Sequence, residues 1–219
     1  MDSEDVMALL GEHASASVLA DMGPRYGIHA ASALGVSMAD MKTLARQVGK
    51  DHDLALALWS TGVYEAQTIA ALIAVPAAVT ARQMDAWCRG FDNWAICDTV
   101  CFNLFDRAKP AWSMVDTWAS REDEFVKRAA FALLWSLALH DKAASDDRFI
   151  HGLTLIEREA ADDRNFVTKA IAMSLRAIGR RNAALRSASI EVAERLNASA
   201  DSAARRIGRT ALKQMAATA

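Results

Sequence analysis

The chain has 219 residues, of which 53% are apolar and 24% charged, a composition that argues against a disordered protein. It contains 46 alanines but only three prolines and ten glycines, which argues strongly against an all-β fold. The formal charge of −2, from 25 basic and 27 acidic side chains, excludes a uniformly basic protein but allows a local basic region.

Apolar residues recur at helical spacing along almost the whole chain, and short polar segments separate the periodic runs. Connections of two to six residues predict that consecutive helices pack as antiparallel hairpins. The exception is 23–37, a Gly- and Ala-rich stretch that predicts a surface loop. The predicted helices cover residues 4–21, 38–49, 51–60, 64–75, 80–89, 93–105, 110–118, 122–139, 147–160, 163–178, 183–196 and 201–216.

Part of the sequence repeats. Residues 124–130 align with 165–171 at an offset of 41, and a third, weaker copy at 203–207 follows the second by 37 residues. Such a period in a helical chain indicates a stack of HEAT-like helix pairs, although chance similarity between amphipathic helices remains the alternative. We therefore predict an all-α, right-handed solenoid with a basic concave face. It forms one domain over 1–219, with an N-terminal helix and surface loop at 1–36 and repeats at 37–219.

Equivalent positions of the three copies carry Arg128, Lys169 and Arg206, which we call the cation ladder. Cations at one height on neighbouring helices suit a phosphate backbone, whereas an ordinary solvated charged face is the alternative. Residues 164–219 hold 11 basic and 3 acidic side chains, so the basic excess lies in this part of the chain. Further basic residues on nearby turns are Arg176, Arg180, Arg181, Arg205 and Arg209.

The segment 90–98 carries the most informative chemical pattern. Asp92 or Asn93 can cap a helix that begins at Trp94, and the spacing of four residues then places the Trp94 ring and the Asp98 carboxylate on one face. An aromatic face beside a carboxylate suits a cationic transition state. A core tryptophan beside a salt-bridging aspartate is the structural alternative.

Other site chemistries have little support. Three cysteines without a Cys-x-x-Cys pair fit a reduced cytoplasm, and five scattered histidines predict neither a metal site nor another cofactor. No apolar run is long enough for a membrane span, and the acidic N-terminus is unlike an export signal. Core positions are favoured over DNA-facing ones for Tyr64 and for four tryptophans, which are Trp59, Trp87, Trp112 and Trp118. The helical spacing also favours a core position for Trp135.

From about residue 35 to residue 215 the chain resembles the bacterial AlkD-type DNA alkylation repair glycosylases, which are HEAT-like all-helical enzymes. Order and spacing of several short pieces carry the resemblance, and any one piece alone is unspecific. These pieces are Tyr26-Gly27-Ile28, Gly35-Val36-Ser37-Met38, Leu58-Trp59, Tyr64-Glu65-Ala66, the Trp94 to Asp98 segment and Lys127-Arg128-Ala129-Ala130.

The resemblance implies roles for four residues. The family's catalytic aspartate matches Asp98, the tryptophan one turn before it matches Trp94, and an arginine that contacts the DNA backbone matches Arg128. The family's second active-site tryptophan falls on Met173, which can pack softly against a sugar or base but offers no aromatic face to a cation.

The implied function is excision of positively charged alkylated purines, such as 3-methyladenine and 7-methylguanine, by hydrolysis of the N-glycosidic bond. The family grips the DNA backbone and leaves the lesion in or near the base stack. The implied partner is double-stranded DNA containing alkylated bases, bound by a cytoplasmic monomer without a cofactor. The departure at Met173 leaves open a non-catalytic HEAT-like scaffold that binds DNA or protein.

Overall fold

The computed structural model describes residues 1–216; the last three residues of the predicted domain 1–219 lie outside the described residues. Within 1–216 there are thirteen α-helices, two short 3-10 turns and no β-strand, which confirms the all-α prediction. Among these residues, no helix is both long and apolar enough to cross a membrane. The helices are α1 (Ser3–Glu12), α2 (Ala16–Tyr26), α3 (Met38–Val48), α4 (His52–Ser60), α5 (Tyr64–Ile73), α6 (Ala81–Arg89), α7 (Trp94–Asn103), α8 (Ala111–Ala119), α9 (Glu124–His140), α10 (Asp146–Glu159), α11 (Asn165–Ile178), α12 (Ala183–Asn197) and α13 (Ser202–Ala216).

The N-terminal region differs from the prediction of one helix over 4–21. The structure has two helices, because Ser15 interrupts the helical run and its hydroxyl caps the start of α2 by accepting a hydrogen bond from the Val18 amide. The second helix then passes through Pro24 and ends at Gly27, whose φ of +62° is the left-handed conformation of a helix C-cap. The connection therefore begins at residue 27 rather than at 23.

The chain divides into two compact units, residues Met1–Lys109 and the part that follows from Pro110. In the first, which we call unit 1, helix α5 is the central element and packs against α3, α4 and α7. All of its apolar side chains except half-buried Leu72 are buried, and so is one carboxylate, that of Glu65. Helices α4 and α6 are joined by Trp59 and Trp87, whose rings stack with centroids 4.0 Å apart.

The second unit, which we call unit 2, contains two layers of helices. Helix α11 packs between α9 and α13, while α8 packs against α9, and α12 against both α10 and α13. The helices α9, α11 and α13 begin at residues 124, 165 and 202, so the structure reproduces the predicted offsets of 41 and 37 residues. The alignment of the three copies therefore reflects repeated helix pairs rather than chance similarity.

Side chains in unit 2 link each repeat to the next. Arg195 on α12 forms an ion pair with Glu157 on α10, with its Nε 2.7 Å from Oε1. The side-chain Nδ2 of Asn182, just before α12, donates to both carboxylate oxygens of Asp146 on α10, each at 3.0 Å. Arg181 donates to the carbonyl oxygen of Ala138 at 2.9 Å. These bonds span 36 to 43 residues, about one repeat each.

A nearly buried ionic cluster lies between α9 and the α10–α11 connection. Lys127 Nζ lies 2.8 Å from Glu159 Oε2 and 3.3 Å from Asp162 Oδ2, and all three side chains are at most 13% exposed. Burial raises the pKa of both carboxyls, but hydrogen bonds from Lys127, Arg158 and Arg164 outweigh it and hold both pKa values below the ordinary range. A carboxyl whose pKa is lower in the folded than in the unfolded state stabilises the fold at pH values above the unfolded-state pKa. This contribution is lost as the pH falls through the folded-state pKa.

We therefore expect Asp162→Asn to lower the free energy of unfolding by about 2 kcal/mol at neutral pH and to reduce its acid sensitivity below about pH 4. Urea unfolding at about pH 7 and about pH 3 measures both effects. The matched control is Asp163→Asn, at an exposed neighbouring position. If Asp162→Asn lost as much stability on acidification as wild type does, the lowered pKa of Asp162 would not contribute to the acid sensitivity of the fold.

Candidate functional site

The N-terminus of α7 has the predicted form. Asn93 caps the helix, because its side-chain oxygen accepts hydrogen bonds from the amides of Ala95 and Ile96, each at 3.0 Å. Trp94 is therefore the first helical residue, and Asp98 follows one turn later. The buried Asn93 side chain also donates to Asp92 Oδ1 at 2.7 Å, so the cap is itself held in place.

Trp94 and Asp98 line one cavity of about 420 Å³ inside unit 1. Its volume is within the usual range of small-molecule sites, roughly 300 to 1,000 Å³. Most of its lining is apolar, and both Trp94 and Asp98 are half-buried. The remaining lining residues come from α2, α3, α5, α7 and the α2–α3 connection: Val18, Asp21, Met22, Tyr26, Ile28, Val36, Ser37, Met38, Met41, Tyr64, Ala95 and Thr99.

Two long-range hydrogen bonds hold α2 and the following connection against α7. The indole Nε1 of Trp94 donates to the carbonyl oxygen of Tyr26 at 3.1 Å, which fixes the orientation of the ring. The amide of Ala31 donates to Asp92 Oδ2 at 2.7 Å. The cavity is therefore closed on one side by a segment that lies more than 60 residues before α7 in the chain.

The opposite end of the same connection is held by Glu65, which is 0% exposed. Its carboxylate accepts hydrogen bonds from the amides of Leu34, Gly35 and Val36, at 2.9, 2.8 and 3.3 Å. A buried carboxylate with several amide donors is well satisfied, and it orders the backbone that supplies them. Glu65 thus positions the part of the cavity wall formed by Val36 and by the start of α3.

The chemistry of the cavity favours positive charge. Asp98 supplies a carboxylate, and the rings of Trp94, Tyr26 and Tyr64 supply aromatic faces that attract cations. Burial, together with the neighbouring Glu65 carboxylate, raises the pKa of Tyr64 to about 12, so its hydroxyl stays protonated and can donate a hydrogen bond. Tyr64 thus has the predicted core burial, and it also belongs to the site.

The cation ladder lies in unit 2, at the N-terminal ends of three neighbouring helices. Arg206 on α13 donates to the hydroxyl of Thr168, the residue before Lys169 on α11, at 3.2 Å. Arg128 on α9 donates to the carbonyl oxygen of Phe166 on α11 at 2.7 Å. The structure thus brings the three predicted cations onto adjacent helices of one unit.

The three ladder residues differ in accessibility. Lys169 and Arg206 are exposed, and within residues 1–216 the Lys169 side chain forms no hydrogen bond or ion pair. Arg128 is only 4% exposed, and its guanidinium lies 5.9 Å from the centre of the Phe166 ring. A phosphate can therefore reach Arg128 only if neighbouring side chains move.

The other predicted DNA-binding residues also fall in unit 2. Arg209 is exposed, whereas exposed Arg205 donates to the carbonyl oxygens of Ser199 and Ala200. Arg176 is half-buried and donates to Gln214 Oε1 at 2.7 Å; burial, reinforced by neighbouring Arg180, lowers its pKa. Met173 is half-buried on α11, one turn after Lys169.

Of the five tryptophans assigned to the core, two are buried and three are half-buried. Trp118 is 0% exposed and Trp87 is 4% exposed, while Trp59 stacks on Trp87. Trp112 is half-buried, and its indole donates to Asp141 Oδ2 at 3.1 Å. Trp135 is also half-buried.

Sequence reasoning missed the residues that shape the cavity from outside α7. Glu65 is a charged residue in the first turn of the mostly apolar helix α5, and this position does not identify the amides of residues 34–36 as its partners. Asp21 and Met41 line the cavity from α2 and α3. Nothing in the local sequence distinguishes these two residues from ordinary members of amphipathic helices.

Comparison with known proteins bears on the family and the fold of the chain. The model of the DNA alkylation repair enzyme family matches residues 6–215. No curated protein sequence matches the chain. A solved structure with 23% sequence identity and a TM-score of 0.77 covers 89% of this chain and 83% of its own. That protein is described as a member of a new family related to the HEAT-like repeat DNA glycosylases, with affinity for branched DNA structures. The similarity confirms the predicted HEAT-like fold.

Proposed function

Because this chain belongs to the DNA alkylation repair enzyme family, we propose that it is a DNA glycosylase that removes positively charged alkylated purines from duplex DNA. Its substrates are of the 3-methyladenine and 7-methylguanine type, and it acts as a cytoplasmic monomer without a cofactor. One observation carries the proposal: the Asp98 carboxylate and the Trp94 ring line the same cavity, of about 420 Å³.

The proposed reaction is hydrolysis of the N-glycosidic bond. Alkylation at N3 or N7 gives the purine a positive charge, so the base is a good leaving group. As the bond from C1′ to nitrogen breaks, its electron pair goes to the base and positive charge develops on the deoxyribose. Asp98 stabilises that charge and orients a water molecule, whose oxygen bonds to C1′ while its proton passes to the carboxylate or to solvent.

Trp94 supports this step through its fixed orientation. Its indole N–H is occupied by the Tyr26 carbonyl oxygen, so the aromatic face rather than the polar edge is available to the deoxyribose. In our proposal the alkylated base stays in or near the stack, and selectivity comes from the weakened glycosidic bond. Cations of unit 2 hold the DNA phosphates. These are Arg128, Lys169, Arg176, Arg205, Arg206 and Arg209, with Met173 packing beside them.

A second candidate function rests on Met173. At the position of the family's second active-site tryptophan, this half-buried side chain has no aromatic face to hold a cationic lesion. The candidate is a non-catalytic protein that binds DNA through the same surfaces. The structural relative described as having affinity for branched DNA makes branched duplexes the matching probe.

Two measurements on the same purified protein separate the two functions. Purified protein is incubated with methylated duplex DNA, and released 7-methylguanine and 3-methyladenine are measured by chromatography, alongside binding to linear and branched duplexes. The glycosylase proposal expects release well above the spontaneous rate. Binding without release supports the scaffold, whereas absence of both contradicts both proposals.

A further inference from the structure

Unit 1 contains a basic groove at the C-terminal end of α3. The groove has a volume of about 380 Å³ and is lined by Lys42, Ala45, Arg46, Gly49, Lys50 and Leu72. Unit 1 as a whole is acidic, with 8 basic and 13 acidic side chains. Three of its eight basic side chains nevertheless line this one groove. A fourth cation, Arg107, is close enough to contribute, after burial, to lowering the pKa of Lys50.

Within the described residues, no carboxylate neutralises these cations. The side chains of Lys42 and Arg107 form no hydrogen bond or ion pair, and the Arg46 side chain donates only to the Thr43 hydroxyl, at 3.0 Å. Lys42 and Arg46 lie one helical turn apart, a spacing at which like charges destabilise a helix. The groove is therefore an uncompensated concentration of positive charge.

Only part of this charge has a structural role. Lys50 Nζ donates to the carbonyl oxygens of Leu72 and Ala74, at 2.8 and 3.0 Å, and so satisfies the end of α5. Arg46 lies in the last turn of α3, where a cation interacts favourably with the helix dipole. Lys42 lies before that turn and its side chain bonds to no described residue, so neither explanation applies to it.

The shape of the groove favours a sugar–phosphate backbone. Its lining combines three cations with Ala45, Gly49 and Leu72, which offer apolar surface against which sugar carbons can pack. Helix α3 also connects the groove to the cavity, because Met38 and Met41 line the cavity and Arg46 lines the groove. Met38 and Arg46 are separated by about 12 Å along the helix axis, which corresponds to three to four base steps of duplex DNA.

We infer that the groove formed by Lys42, Arg46 and Lys50 is a second DNA-binding site, which holds phosphates of the duplex a few nucleotides from the segment at the cavity. The inference rests on the proposed function only in taking DNA as the partner. The inference places phosphate contacts in unit 1, although the net negative charge of that unit does not predict DNA binding.

The test measures binding of an undamaged duplex, about two helical turns long, as a function of salt concentration. Wild type is compared with Lys42→Gln/Arg46→Gln and with a matched control, Arg82→Gln/Arg89→Gln on α6, which removes the same charge from the same unit. The plot of log K against log salt has a negative slope. Its magnitude decreases by about 0.9 for each phosphate that the protein no longer neutralises. We expect a decrease of between about one and two for the groove variant and less than about half a unit for the control.

The outcomes decide the inference independently of catalysis. A smaller slope in the groove variant alone supports it, even if wild-type protein releases no base. Equal slopes in all three proteins, or equal decreases in both variants, overturn it, as does absence of duplex binding by wild type. The conservative variant Lys42→Arg/Arg46→Lys must retain the wild-type slope, because a role that depends on charge tolerates the exchange.

Discussion

Asp98→Asn is expected to reduce release of 7-methylguanine from methylated duplex DNA by at least about 100-fold, the usual cost of removing one group that stabilises transition-state charge. Asparagine has nearly the same size and shape, so α7 and the cavity keep their form. It carries no negative charge for the developing positive sugar, and its amide is a poor acceptor for the proton of the attacking water. Single-turnover rates with protein in excess measure the effect on the bond-breaking step alone.

The control for Asp98→Asn is Asp53→Asn on α4, which also removes one negative charge from unit 1 but does not line the cavity. Its release rate should equal that of wild type. Asp53→Asn should unfold within about 0.5 kcal/mol of wild type, as is usual for an exposed position, and a thermal unfolding curve checks that Asp98→Asn is folded under the assay conditions. Undiminished release by Asp98→Asn would remove Asp98 from the catalytic role.

Gly35→Ala is expected to destabilise the protein by about 4 kcal/mol. Gly35 has a φ of +81°, which costs an alanine roughly 1 to 2 kcal/mol. A Cβ at this position would also overlap the carbonyl oxygen of Ser15 and lie 2.8 Å from the backbone nitrogen of Leu19. Both atoms belong to the start of α2, so relief of the overlap requires a backbone shift, with a further cost of about 1 to 3 kcal/mol.

The matched control is Gly62→Ala, because Gly62 has a similar φ of +69° but no atom within 4 Å of an added Cβ. It should lose only the conformational part, about 1 to 2 kcal/mol. Thermal unfolding would show the difference as several degrees in Tm, since each kcal/mol corresponds to roughly 2 to 4 °C in a chain of this size. Equal destabilisation by the two substitutions would show that the close approach of Gly35 to α2 contributes nothing.

Local patterns predicted the helices and the centre of the site. Apolar spacing located most of the helices to within a few residues, and the offsets of 41 and 37 residues identified the repeats of unit 2. The start of α7 was predictable because an N-cap acts on amides two or three residues away, as Asn93 does. These features depend on neighbours in the sequence.

The remaining features depend on contacts between distant residues. Glu65 satisfies amides about 30 positions earlier, and no local pattern specifies which amides a buried carboxylate will meet. The ladder position of Arg128 was evident, but its burial against Phe166 depends on the packing of α9 against α11. The break at Ser15 was missed because the Ser- and Ala-rich segment around it contains neither glycine nor proline at the break.

The repeat-to-repeat bonds of unit 2 have a consequence for how that unit forms. Arg195, Asn182 and Arg206 each join an element to the one a single repeat away, so these bonds close only short loops. Folding of such an array can begin at any helix pair and spread by adding neighbours, as in a one-dimensional chain of coupled segments. Cooperativity then depends on the strength of each interface. A weakened link between α11 and α13 would let the C-terminal pair unfold while the preceding repeats remain intact.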